Sequence, residues 1–543
     1  MHLGRGISIA ASFRRVIPLR GMACACSWRT FMNRRSFLAL QSRLFALALV
    51  GEQFGGRLVA APRFTRDPFT LGVASGDPAP DGFVLWTRLA PEPVQGGGMP
   101  NEHVKVRWEL AEDEGMHRIV RSGDAVASPE LAHSVHVEVE GLPADRWYWY
   151  RFTAGEAVSP VGRARTMPAF QAAPEKLRMA FASCQDYHFY YTAWQHMATE
   201  TDLDLVFHLG DYIYEGGPRA DRPRQHNSPE ILSIDDYRNR LALYKTDEHL
   251  RAMHARCPFV VTWDDHEVDN NYANAVDQDG GRPEDFLKRR AGAYQAYYEH
   301  MPLRAFSRPI GPDMQLYRRI SFGRLADFFV LDTRQFRTNQ PCGDRSGKPC
   351  DGFFDPSATM LGAAQERWLQ EGLSRSASRW NVLAQQVILS GLDSARAEDG
   401  PSYSMDQWSG YAYARNRLTK FLDDAKPSNP VVLTGDVHSN WVSEVPLDFL
   451  DQKSKSVAAE FVGTSITSGG DGGPNPEYRE KVLSRNPWLK HYNGQRGYVS
   501  CTITPGNWRA DYRTVEYVTR PGSPIATSAS YVVESGRPTI QKA

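Results

Sequence analysis

Asp204-Leu205-Val206-Phe207-His208-Leu209-Gly210-Asp211-Tyr212-Ile213-Tyr214 is an apolar run broken by Gly-Asp, and the pattern returns twice downstream. Phe259-Val260-Val261-Thr262-Trp263 leads into Asp264-Asp265-His266-Glu267. Val431-Val432-Leu433-Thr434 leads into Gly435-Asp436-Val437-His438. Short continuous apolar runs ended by Gly or Asp read as buried strands. In open α/β sheets, ligands gather beyond the carboxyl ends of such strands. Carboxylates and imidazoles collected there repel one another unless something positive sits among them. A metal centre is the economical explanation.

Outward from these runs, strand and helix patterns alternate from Leu177 onward, which predicts an α/β layer architecture. Helices are expected at 286–300 and 363–373, and further strands at 327–331, 382–389 and 459–462. Ser468-Gly469-Gly470-Asp471-Gly472-Gly473-Pro474 reads as a loop. Upstream, from Phe69 to about Met167, short alternating strands follow one another, among them Phe83-Val84-Leu85-Trp86-Thr87-Arg88 and Val135-His136-Val137-Glu138-Val139. Gly141 to Phe152 is similar to the corner and penultimate strand of fibronectin type III-like sandwiches, where a tyrosine hydroxyl pins the corner. The expectation is a small all-β, immunoglobulin/fibronectin III-like domain over 67–168. Gln171-Ala172-Ala173-Pro174 is the linker, and the α/β domain spans 175–543.

At 543 residues the chain exceeds what one hydrophobic core usually supports. Net charge is zero, but nine of the 63 basic and one of the 63 acidic residues lie in 1–60, leaving about −8 on the remainder. That sign disfavours nucleic acid as a partner. Asn33-Arg34-Arg35-Ser36-Phe37-Leu38, an apolar stretch to Val50 and Val59-Ala60-Ala61 resemble a twin-arginine export signal over 1–61, with Met32 as a possible true start. The apolar stretch is too short to span a membrane, and no later one approaches ~20 residues. Cys342 and Cys350 bracket a short loop and suit a disulfide in an oxidising compartment, which leaves Cys184 to be explained separately.

A metal-dependent phosphoesterase needs carboxylate and imidazole ligands, with one carboxylate bridging two cations ~3.5–4 Å apart. Asp211 and Asp436, each following Gly after a buried strand, suit bridging. His438 lies two residues past Asp436, so both side chains can point one way from extended backbone. Asp264 to Glu267 supplies ligand oxygens and an imidazole able to face substrate. Arg334 is either a bidentate phosphate grip or the partner of Asp332 or a loop carboxylate. His188, His196 and His254 read as structural. Tyr187, Tyr190, Tyr191 and Tyr403 are placed at the mouth of the site.

Together with Phe181-Ala182-Ser183-Cys184-Gln185, Leu331-Asp332-Thr333-Arg334 and Asp264-Asp265-His266-Glu267-Val268-Asp269-Asn270-Asn271, these stretches resemble the alkaline phosphatase D family of the metallophosphoesterase superfamily. The resemblance covers nearly everything after residue 66. It implies a layered metallophosphoesterase β-sandwich flanked by helices behind the small β domain, and a monomer. It implies export by the twin-arginine machinery to the periplasm or beyond, and hydrolysis of phosphate mono- or diesters by in-line attack of metal-activated water. Fe³⁺ would be held by Cys184, Asp211, Tyr214 and His438. Ca²⁺ would be held by Asp436 and an Asn of the Asn270-Asn271 pair, Asn271 being favoured; superfamily alignment points instead to Asp265. Other divalent pairs stay open. His266 would position or protonate the leaving oxygen. Two alternatives remain: a phospholipase D-like activity on lipid headgroups, and an extracellular binding protein whose metals are structural.

Overall fold

In the computed structural model, which describes residues 63–394 and 400–543, two large sheets share one core. The signal expected over 1–61 lies outside the described residues. The ten-stranded sheet runs Ile540–Lys542, Ile525–Glu534, Asn507–Val515, Gly497–Ile503, Leu177–Ala182, Leu205–Leu209, Phe259–Thr262, Val73–Ala79, Gly82–Arg88, Ser134–Val139. The seven-stranded sheet runs Arg318–Phe322, Ala326–Val330, Trp380–Ala384, Pro430–Thr434, Ser456–Val462, Asn440–Pro446, Leu489–Asn493.

The continuous apolar runs are buried on both faces, as strands between layers must be. Leu205, Phe207 and Leu209 share a cluster with Val431 and Leu433 of the other sheet. Val206 turns the other way, to Trp194, Leu241 and Tyr294 of the helices Thr192–Ala198, Ile234–Lys245 and Pro283–His300. Val432 likewise meets Leu369 and Leu418 of Gly362–Arg375 and Ala412–Ala425. Burying each such side chain contributes roughly 1.5–3 kcal/mol. The result is the expected mixed α/β layering, with helices outside and two sheets within. Leu205–Leu209 pairs in parallel with Leu177–Ala182 and Phe259–Thr262, and Ala326–Val330 through Ser456–Val462 also pair in parallel.

Some expectations shift. The strand expected over 382–389 ends at Ala384. Beyond it, the amides of Leu389 and Ser390 bond the Glu460 carboxylate, and that of Ile388 bonds Gln407 Oε1, so the chain leaves the ladder. Three strands that no signal above marks, Gly497–Ile503, Asn507–Val515 and Ile525–Glu534, extend the ten-stranded sheet.

Residues 73–165 form strands and turns with one short 3-10 turn at Pro129–Leu131. A second sheet, built on Ile119–Ala127, Val104–Ala111 and Trp147–Ala154, packs over Gly82–Arg88 and Ser134–Val139 through Leu85, Val106, Leu110, Val137 and Phe152. The hydroxyl-pinned corner is absent: neither Tyr148 nor Tyr150 bonds the corner backbone. Thr166 holds it instead, its hydroxyl accepting from Arg146 N at 3.0 Å and donating to Pro143 O at 2.8 Å. Val73–Ala79 also pairs in parallel with Phe259–Thr262, Gly76 opposite Phe259, so these strands continue the ten-stranded sheet. Among the described residues no helix is long and apolar enough to cross a membrane.

Candidate functional site

The turns that leave the central strands carry the site, and their backbone is unusual. Cys184, Asp211, Asn271, Asp436 and His438 all have positive φ, between 52° and 62°. Such conformations cost L residues about 1 kcal/mol or more each and cluster where function holds them. Two glycines explain how the turns come so close. A Cβ on Gly210 would sit 2.4 Å from Asp264 Cβ, and one on Gly435 would sit 2.6 Å from Ser183 Oγ. The Gly-Asp pairs are therefore packing requirements as well as strand terminators.

Cys184, Asp211 and His438 each place a ligand atom within 4.8 Å of the others. Tyr214 joins them: its hydroxyl donates to Asp211 Oδ2 at 2.9 Å and lies 3.1 Å from His438 Nε2. Burial, then the Asp211 charge, pushes the Cys184 thiol and the Tyr214 phenol well above their usual values. Burial, then Arg496 and His266, holds His438 down at about 3, a neutral imidazole.

Asp264, Asp265 and Asp436 form an adjoining group, with Asp265 also close to Asp211 and His266. Arg334 is fully buried against it. Its guanidinium bonds Asp264, reaches Asp406 at 2.9 Å, Asp265 at 3.3 Å and Asp436 at 3.5 Å. Asp332 accepts from the backbone amides of Arg334 and Gln335. Of the two readings open to Arg334, pairing with carboxylates is the one the geometry displays. Asn271 N donates to Asp265 Oδ2 at 2.7 Å and Asn271 lines the cavity beside Asp436, whereas Asn270 Nδ2 is taken by Gln278 at 2.6 Å. His266 Nδ1 donates to Glu215 at 2.7 Å, and its ring lies 4.3 Å from that of Tyr214. Burial alone would lower its pKa, but Glu215, Asp265 and Asp211 outweigh it and raise it well above the usual histidine value.

Several contributors act through contacts that no sequence spacing reports. Glu267 accepts from the amides of Asp211, Tyr212 and Asp264, locking two turns together, and burial raises it to about 7. Asp406 anchors Arg334 and Arg337, and Gln407 Nε2 donates to Asp436 Oδ2 at 2.5 Å. Ser468, in the Gly-rich loop, bonds the Tyr214 hydroxyl at 2.7 Å. Arg496 donates to the His438 carbonyl and to Gly470 O. Of the tyrosines placed at the mouth, Tyr191 is buried on Gln185 O and Tyr403 packs against Phe449, while the half-buried Tyr187 and Tyr190 lie against the Arg224 guanidinium.

The donor set fits metal ions. Asp211 Oδ1 and Asp264 Oδ2 are buried without a hydrogen bond, and Asp265 Oδ1 has only the ion-pair approach of Arg334. Burial raises Asp211 and Asp264 well above ordinary carboxyl values and Asp436 to about 7. Uncompensated buried carboxylates are costly, and a cation between them removes that cost. Thiol, phenol and imidazole on one side suit a Lewis-acidic transition ion; oxygen donors on the other suit a hard cation.

A family model described as PhoD-like phosphatase matches residues 179–512, and one described as PhoD-like phosphatase, N-terminal domain, matches 56–168. Alkaline phosphatase D of Bacillus subtilis (strain 168) is 51% identical over 520 residues, 94% of this chain and 89% of that protein. A solved structure of PhoD superposes with a TM-score of 0.86 at 52% identity, covering 89% of this chain and 93% of that one.

Proposed function

The chain belongs to the PhoD-like phosphatase family, and from that membership we propose that it holds Fe³⁺ on Cys184, Asp211, Tyr214 and His438, with Ca²⁺ on Asp211, Asp436 and Asn271 or Asp265. It is a phosphoric ester hydrolase. Its substrate in this reading is a phosphate mono- or diester. Bound there, the cations would lower the pKa of water and neutralise charge on the phosphoryl oxygens.

The chain's own residues do the rest. His266 stays protonated beside Glu215, which fixes Nδ1 as a donor and leaves Nε2 to give a proton to the leaving oxygen. Arg334 positions the carboxylates of Asp264 and Asp436 rather than gripping phosphate from the front. Glu267 holds the turns of Asp211 and Asp264 in register, so the reacting groups need little reorganisation.

The observation that supports this reading most is the set of buried carboxylate oxygens left without hydrogen bonds beside Cys184 and His438. The test is hydrolysis of a chromogenic phosphodiester and monoester by chelator-stripped protein, restored by iron with calcium. Full activity in metal-free protein would overturn it.

The proposal extends to organisation and place. The sandwich domain spans 67–168 and the catalytic domain 175–543. The protein works as a monomer in the periplasm or outside the cell, exported through the twin-arginine route. The Cys342–Cys350 disulfide supports an oxidising compartment.

A further inference from the structure

Asp186, His188 and His226 form a buried cluster of their own beside the metal centre. Each offers a ligand atom within 4.8 Å of the other two. Asp186 and His188 follow Cys184 in the chain, and His226 comes from the long connection between Leu205–Leu209 and Ile234–Lys245. The two imidazole centroids lie 4.1 Å apart.

His226 Nδ1 lies 2.6 Å from the Gly216 carbonyl and 3.0 Å from Arg240 Nη1; with Nδ1 donating to that carbonyl, Nε2 faces the Tyr244 hydroxyl as an acceptor. Nε2 sits 4.0 Å from Asp186 Oδ1, too far for a hydrogen bond and somewhat wider than two donors on one tetrahedral ion, so an ion between them would draw the two together. A backbone carbonyl behind the ring is the outer partner that metal-ligating histidines commonly have. The Tyr244 hydroxyl, 3.0 Å from Nε2, adds an oxygen to the group. His188 Nδ1 lies 2.7 Å from Asp186 Oδ1, while its Nε2 is buried without any hydrogen bond.

A hydrogen-bonded strut accounts for the Asp186–His188 and Tyr244–His226 bonds. It does not account for a second imidazole turned to the same carboxylate at 4.0 Å; an ion there would take the place of the proton between His188 Nδ1 and Asp186. Arg240 lies on the Nδ1 edge of His226, 3.0 Å from that nitrogen, and donates to the carbonyls of Tyr214, Gly216, Ser228 and Pro229, so an ion on the Nε2 edge would have the whole ring between it and the guanidinium. We propose that Asp186, His188 and His226 bind a divalent transition ion of the zinc class, at a site separate from the Asp211–Asp436 cluster. Two imidazoles and one carboxylate favour zinc, cobalt or a similar ion over calcium, which takes oxygen ligands. The ion ties two loops together. Asp186 N also accepts a role in the neighbouring centre by donating to Ser468 Oγ at 3.2 Å, so the loop that carries Cys184 is steadied by the same tie.

The test uses full-length protein with Cys184→Ala and His438→Ala, which weaken the first centre, stripped of metal and titrated with Co²⁺. The expected result is visible d–d absorption, with one equivalent of Co²⁺ lost, or bound at least tenfold more weakly, when His226→Gln is added. Asp186→Asn, which keeps the side chain's shape, should have the same effect and serves if His226→Gln does not fold. Unchanged stoichiometry and spectrum in the folded variants would overturn the site.

Discussion

Asn271 Nδ2 donates to Asp344 Oδ2 at 2.8 Å, tying the edge of the carboxylate cluster to the loop that Cys342 and Cys350 close. Asp344→Leu should therefore lower activity by about 3–10-fold, the effect of losing one positioning hydrogen bond. Reduction of the disulfide should act in the same direction and reverse on reoxidation. Steady-state kinetics of the reduced and oxidised protein check this; equal activity would show that the loop does not steady Asn271.

Asp436→Asn should lower hydrolysis of an activated phosphodiester by at least ~10²-fold, the scale of lost charge stabilisation in a closed site. The residue lies in the carboxylate group with Asp264 and Asp265, held by Gln407. Elemental analysis alongside the assay separates loss of metal from loss of chemistry. Near-wild-type activity with unchanged metal would remove Asp436 from the mechanism.

Tyr214→Phe should shift or abolish a visible charge-transfer band in iron-loaded protein while leaving the fold intact. The phenol oxygen lies among Asp211, His438 and Ser468, within the group proposed to hold the ferric ion. A colourless, iron-free and fully active preparation would overturn the iron assignment and leave the phosphoesterase reading standing.

Arg496→Met should cost about 1.5–3 kcal/mol in denaturant unfolding, because a buried guanidinium donates to His438 O, Gly470 O and Ser465 Oγ. Iron content should fall with it, since His438 keeps its left-handed backbone partly through that bond. Unaltered iron binding in a folded variant would confine Arg496 to stability.

Lys245→Met should stabilise the protein most at or below neutral pH. Burial pulls the Lys245 pKa down to about 7, against roughly 10.4 in an unfolded chain, even though the Trp86 ring 4.3 Å away favours the charged form. Between those values the unfolded chain binds more protons, so stability rises with pH across the window. The gain from Met, on the order of 1–3 kcal/mol, is therefore complete below about pH 7 and lost by about pH 10.4. Thermal melts at pH 6 and pH 10 decide it.

What could be read from the chain alone was what is local. Asp211, Asp436 and Asp264 announce themselves because a two-faced strand and its terminator are neighbours in sequence. Glu267 sits inside a stretch already marked, yet its task depends on amides from a turn 55 residues earlier, and no spacing reports that. Asp406, Gln407 and Arg496 reach the site from connections without any pattern. Arg334 had two readings because a guanidinium's partners are a matter of long-range packing. The corner expected to hang on a tyrosine hangs on Thr166, which strand pairing brings beside Arg146 and Pro143 from 20 and 23 residues along the chain.

The pairing of Val73–Ala79 with Phe259–Thr262 has a consequence for any attempt to dissect the molecule. Trp86 Nε1 donates to Glu299 O, His136 stacks on Tyr298, and Arg318 grips Asp77 at 2.7 Å, so the two halves are fastened at many points. A protease that nicks the segment 171–174 should leave two fragments that still travel together. A chain that begins after that segment would instead bare the edge of Phe259–Thr262 at Phe259, together with the apolar faces that the missing strands cover, surfaces that invite other molecules to add to them.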